Sequence, residues 1–143
     1  MTACPTCGGD AHVEELAETA MQAGDVVVRV AGLARTTCDA GHVHVVPDGG
    51  AAAGRGAVVE QLQTAVQRGV VRRRLECGDC GAELVLPPLR SERVVPVDVA
   101  GRVLTITVEA PFRRCPDCAR EQLTPDGADA VPVALDAAVA EAG

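Results

Sequence analysis

The chain has 143 residues, a formal charge of −7, no Trp, no Tyr and a single Phe, Phe112. That length holds one ordinary domain or two very small ones, and their cores must be built from Val, Leu and Ala, so units this small need a metal or disulfide staple. An acidic chain without stacking aromatics is a poor match to a general nucleic-acid binder, whose affinity rests on phosphate neutralisation and base stacking.

The start, MTACPTCGGD, has no charged segment leading into an apolar run and does not read as a secretory signal; no stretch approaches a membrane span. A cytoplasmic location is therefore the expectation. In that reducing setting the seven cysteines, six of them in Cys-x-x-Cys doublets, read as metal ligands or redox dithiols before structural disulfides.

Residues 1–47 make the first predicted unit, opened by Cys4-Pro-Thr-Cys7-Gly-Gly and closed by Cys38-Asp-Ala-Gly-His42. VVVRV at residues 26–30 reads as a strand, whereas its partner would lie in HVEELAETAMQ, a stretch rich in helix formers, so the hairpin is less marked there. Residues 48–56 belong to PDGGAAAGRG, a flexible linker by composition. Residues 57–74 place Val59, Leu62, Val66 and Val70 at spacings of three and four, which predicts an amphipathic connecting helix weakened near Gly69. Residues 75–125 make the second unit: Cys77-Gly-Asp-Cys80-Gly, two β-branched runs (94–99 and 102–108) around Ala100-Gly101, and Cys115-Pro-Asp-Cys118. Residues 126–143 are an acidic, Ala-rich tail, read either as a short helix over 134–142 or as disorder.

The two units repeat one layout. Counted back from the third ligand, residues 24–38 superpose without a gap on residues 101–115, each beginning with Gly and running into β-branched residues. The fold class that follows is small α+β, mostly β: two tandem zinc-ribbon-like β-hairpin units joined by an amphipathic helix.

A Cys-x-x-Cys turn converges two thiolates on one ion while backbone N–H groups soften their charge, and Gly after the second Cys, as at Gly8 and Gly81, permits the backbone turn. Cys77, Cys80, Cys115 and Cys118 complete a closed four-sulfur set. Cys4, Cys7 and Cys38 need a fourth ligand, and Cys-x3-His reaches one ion, which favours His42; His44 is the rival and His12 a more distant one. Two zinc ions per chain, each held within its own copy, is the expectation, and a cross-braced pairing would have to be built across the linker and helix.

At this level the second unit resembles the YgiT-type zinc finger, the zinc domain of MqsA-like antitoxins. The matching residues are Cys77-x-x-Cys80-Gly, Val95-Pro-Val97, Gly101, the strand to Val108, and Cys115-Pro-x-Cys118. The first unit looks like a degenerate version of it. The resemblance implies a structural zinc module that supports protein contacts. In that family DNA binding belongs to a separate helix-turn-helix domain, and nothing after Cys118 is patterned as one.

The function expected is a non-enzymatic structural-zinc protein acting as a protein-interaction or assembly module. Both ligand sets are closed, whereas a catalytic zinc keeps an open position, and no phosphate-cradling loop, HExxH or Ser/His/Asp set is apparent. Two alternatives stand beside it. A rubredoxin-like iron electron carrier uses the same four-cysteine cage, but that family packs aromatics beside its cluster and only Phe112 is available. A nucleic-acid-associated regulator would use Arg72, Arg73, Arg74, Arg113 and Arg114, which equally fit a solvated face paired with Glu76 or Asp117.

Overall fold

The computed structural model describes residues 2–4, 6–46, 58, 61–69, 74–99 and 102–142. In the first half β1 (Thr2–Ala3), β2 (Asp10–Glu15), β3 (Thr19–Ala23), β4 (Val26–Ala31), β5 (Ala34–Cys38) and β6 (Val43–Val46) follow in order. Ala23 pairs with Val26 across Gly24-Asp25, the kind of two-residue turn that favours glycine at positive φ. The register set there continues past the end of β3: β2 pairs with β5, and between them the Leu16 N–H bonds the Leu33 carbonyl at 3.0 Å. The first half is thus one long hairpin broken once. At the break Gly32 has φ +99°, and a Cβ on it would lie 2.6 Å from the Val103 carbonyl oxygen, so the second half abuts the break at a position that only glycine fits. The helix formers at residues 12–22 yield to strand pairing because β5, opposite residues 12–15, and β4, opposite residues 19–22 with Val26, Val28 and Val30 buried, supply a template no isolated helix offers.

The second half contributes β7 (Val66–Arg68), β8 (Arg74–Glu76), β9 (Leu89–Val99), β10 (Arg102–Arg114) and β11 (Glu121–Leu123). Val99 pairs with Arg102 and the ladder runs unbroken to Leu89 and Phe112; the Ala100-Gly101 turn itself lies outside the described residues. The gapless alignment of the halves needs one adjustment. Gly24 is the first of the two residues between its strands and Gly101 the second, so the second ribbon is one residue longer between turn and cysteine.

The connecting helix predicted over 57–74 does not run its length: among the described residues Leu62 N–H bonds the Val58 carbonyl in helical fashion, after which the chain extends, Ala65 N–H bonding the Leu123 carbonyl and β7 pairing with β8. Gly69, at φ +94°, lies at the end of β7 where the chain leaves the strand, and Val66, read as part of a buried stripe, is exposed. Val59, Val70 and the linker at 48–56 lie outside the described residues.

β10 organises the molecule. It pairs with β9, with β4 and, near its end, with β11, and β4 pairs with β3, giving a five-stranded antiparallel sheet to which both halves contribute. A four-stranded sheet β1-β2-β5-β6 carries the first cysteine cluster, and β7-β8 forms a small third sheet leading into the second. One helix, α1 (Pro125–Ala142), covers the central sheet over β3 and β4. Thr124 starts it by accepting the Gly127 N–H at 3.1 Å, and Val131, Ala134, Leu135 and Ala138, spaced as one helical face, are buried. The tail is therefore an ordered helix that begins well before residue 134, with Pro132 inside it.

The main core joins Val26, Val28, Val30, Leu104, Ile106 and Val108 of the sheet to Val58, Leu62, Leu123 and the helix. On the outer face Arg29 pairs with Glu92 at 2.8 Å and lies near Glu18 and Glu109, beside the exposed Val94. No helix among the described residues is long and apolar enough to cross a membrane.

Candidate metal centres

Each cluster is built from two tight turns at the ends of ribbons. In the first, Gly8 N–H bonds the Cys4 carbonyl and Cys4 N–H bonds the Gly9 carbonyl; in the second, Gly81 N–H bonds the Cys77 carbonyl and Cys77 N–H bonds the Ala82 carbonyl. Gly8 and Gly81 adopt φ of +72° and +78°, as the turn requires. The Cys115–Cys118 turn repeats the pattern with Ala119 in the same place, at φ +63°. Opposite the first turn, Cys38 and His42 are drawn together by Cys38 N–H to the His42 carbonyl and by Gly41, at φ +87°.

The structure brings together all eight residues singled out from the sequence, in two sets. Cys4, Cys7, Cys38 and His42 form one and Cys77, Cys80, Cys115 and Cys118 the other, and within each set the donor atoms lie within 4.8 Å of one another. Cys7 and Cys38 sulfurs are 3.8 Å apart, Cys77 and Cys118 3.7 Å, Cys80 and Cys115 3.5 Å. A tetrahedral ion with metal–sulfur bonds of about 2.3 Å gives edges of about 3.8 Å, so both sets fit a four-coordinate metal. All seven cysteines are free thiols, and their spacing is far beyond the roughly 2 Å of a disulfide.

His42 Nδ1 lies 3.3 Å from the Cys38 sulfur and 3.8 Å from that of Cys4, which completes the first set. His44 stands beside it: its Nε2 is 4.0 Å from the Cys4 sulfur and 2.9 Å from the Thr6 hydroxyl. His12 is exposed on β2 and faces Asp39 at 4.0 Å, apart from the cluster.

Backbone N–H groups polarise the sulfurs. The Cys7 N–H is the main cause holding the Cys4 thiol down at about 6, against its partial burial. Burial pushes the Cys77 thiol up, but the N–H groups of Cys80 and Asp79 and the Gln122 amide outweigh it and bring it to about 6. Cys115 is lowered chiefly by the Cys118 N–H. Their partners go the other way: although the Ala82 N–H favours its thiolate, Cys80 is pushed up to about 12 by its hydrogen bond with Cys115 and by burial. Within the four-cysteine cage the environment thus favours the thiolate at Cys77 and Cys115 and the thiol at Cys80 and Cys118, and a divalent cation would displace the remaining protons.

The surroundings of the two sets differ. The second is packed by Ala65 and Leu84, with Leu75 and Ala82 at its margin; the first, among the described residues, clusters Ala11 with its own Cys4 and Cys38. Sequence reasoning missed Gln122. This fully buried side chain donates to the Cys77 sulfur at 2.9 Å and accepts the Gly78 N–H at 2.8 Å, and a lone Gln in a three-residue strand carries no spacing signal.

The arginines read as a basic face are described only in part. Arg74 pairs with Glu76, as does Arg68 at 2.8 Å; Arg113 donates to the Leu86 carbonyl; Arg114 is exposed; Arg72 and Arg73 lie outside the described residues. Phe112 belongs to the main core with the Arg93 guanidinium 5.0 Å above its ring, and the packing around the four-cysteine set is aliphatic. Comparisons with protein-family models, curated proteins and solved structures return no match.

Proposed function

We propose that the chain is a non-enzymatic cytoplasmic protein that binds two structural zinc ions and acts as a protein-interaction or assembly module. The observation that carries this reading is the closure of both donor sets: four mutually adjacent ligand atoms in each leave a tetrahedral ion no position for a substrate. Thiolate-rich tetrahedra suit zinc or iron. The aliphatic surroundings of the four-cysteine set favour zinc, since a rubredoxin-like centre is packed by aromatics and Phe112 is committed to the core. When bound, the ions would supply cross-links to a core in which Phe112 is the sole aromatic the sequence offers.

The halves support a tandem origin, because each is a long hairpin ending in a cysteine cluster and their equivalent strands β4 and β10 pair with each other. That arrangement behaves as an internal dimer, a platform rather than a pocket. Elemental analysis of the purified chain is the test. Two equivalents of zinc and no visible absorption agree with the reading; one metal per chain, or iron with colour, removes it.

A further inference from the structure

Gln122 lies on β11 between the four-cysteine set and the main core, with none of its surface exposed. Burying a primary amide is unfavourable unless both ends are satisfied, and here its carbonyl meets the Gly78 N–H while its NH2 meets the Cys77 sulfur. The reverse orientation would set NH2 against N–H at Gly78, so chemistry assigns the amide as described. A sulfur accepts such a bond well only as a thiolate, the state a metal enforces.

The surrounding backbone makes this contact rigid. Leu123, the next residue, accepts from Ala65 N–H and donates to the Gln63 carbonyl, each at 2.8 Å. A Cβ on Gly78 would lie 2.7 Å from the Thr64 carbonyl oxygen, so the Cys77–Cys80 turn is pressed against the same segment. Gln122 therefore joins the turn, β11 and residues 63–65. In the first set, among the described residues, the buried sulfurs are met by backbone N–H groups of Thr6, Cys7 and His42 and by imidazoles, with no buried side-chain amide.

We propose that Gln122 is a positioning residue that holds Cys77 in place as a metal-bound thiolate and thereby makes the second centre the slow-releasing one. This rests on the metal reading above. The test loads the full chain with Co2+ or Zn2+ and compares it with Gln122→Leu, which keeps the bulk and removes the donor. Metal release from the second centre to a chelator should accelerate about tenfold or more. The sulfur-to-cobalt charge-transfer band should also move to lower energy, because the lost hydrogen bond no longer draws down the sulfur electrons, a change that mere packing would not produce.

A variant that holds both metals with unchanged release and an unchanged band overturns the proposal. If Gln122→Leu does not fold, the unsubstituted chain loaded with 113Cd decides: an NMR correlation between the Gln122 amide protons and the cadmium of the four-thiolate centre supports the proposal, and its absence overturns it. An unsubstituted chain that takes up no metal at Cys77, Cys80, Cys115 and Cys118 defeats the metal reading itself, and this proposal with it, before any variant is made.

Discussion

Val30 and Ile106, each the fifth residue of its strand, face each other across the β4–β10 pairing, and neither has any exposed surface. Equivalent strands of the two halves thus meet at equivalent residues, and the seam between the halves is the centre of the core. Ile106→Ala should cost about 2–5 kcal/mol, a large share of the ~5–15 kcal/mol typical of a domain. Denaturant unfolding of the metal-loaded chain should show one transition, shifted as a whole. Two separable transitions, only one of them moved, would mean the halves fold independently.

The first metal centre should empty before the second. Three thiolates and an imidazole hold the ion less strongly than four thiolates, protonation of the imidazole competes with binding, and among the described residues the packing around the first set is little more than Ala11. Titration with chelator or mild acid, followed by native mass spectrometry, should show a one-metal species retaining the Cys77 centre. Simultaneous loss of both ions would contradict it.

Ala119 occupies a left-handed conformation that glycine fills at the equivalent positions 8 and 81. An L-residue pays about 1–2 kcal/mol there, part of which glycine returns to the unfolded chain. Ala119→Gly should raise stability by roughly 0.5–1 kcal/mol, whereas Gly8→Ala and Gly81→Ala, whose Cβ atoms would enter open space, should lower it by about 1 kcal/mol through the backbone alone. Thermal melts of the zinc-loaded variants measure the difference.

The metal-free chain should be most stable near pH 9. Cys77 and Cys4 are lowered from 9.0 to about 6, so the unfolded chain binds more protons between these values and their contribution, complete above pH 9, is lost as pH falls through 6. Cys80 is raised to about 12, so its contribution is present below pH 9 and is lost as pH rises toward 12. Denaturation midpoints of chelator-treated protein should climb from pH 6 to 9 and then fall. A flat profile would show that the sulfurs do not hold these positions without metal.

What could be read from the sequence was local. Cys-x-x-Cys-Gly dictates its own turn, and the β9–β10 hairpin announces itself by β-branched residues on either side of Ala100-Gly101. Pairing between β4 and β10 left no trace, because nothing in either strand encodes which distant edge it joins. Val66 was misread because its spacing from Leu62 matches a helix turn, while the β7–β8 pairing that decides its fate is tertiary. Pro132 and Gly127 concealed the extent of α1, which is held by packing on β3 and β4.

The environment of Leu62 marks its segment as core rather than as a docking face. Leu62 is 6% exposed and clusters with Val58, Phe112 and Leu123, at the floor of a groove of about 560 Å³ that Arg93 and Arg114 also line. Leu62→Glu should therefore unfold the protein or destabilise it by more than the ~2–5 kcal/mol of a truncation, since a carboxylate is added to the lost packing. Arg114→Glu, exposed and without an ion pair among the described residues, should leave folding and metal content unchanged and weaken capture of an acidic partner. A folded, metal-loaded Leu62→Glu protein that no longer binds its partner would reverse this assignment and make the segment the docking face. The measurement is circular dichroism and metal content of both variants, followed by pull-down from the native host.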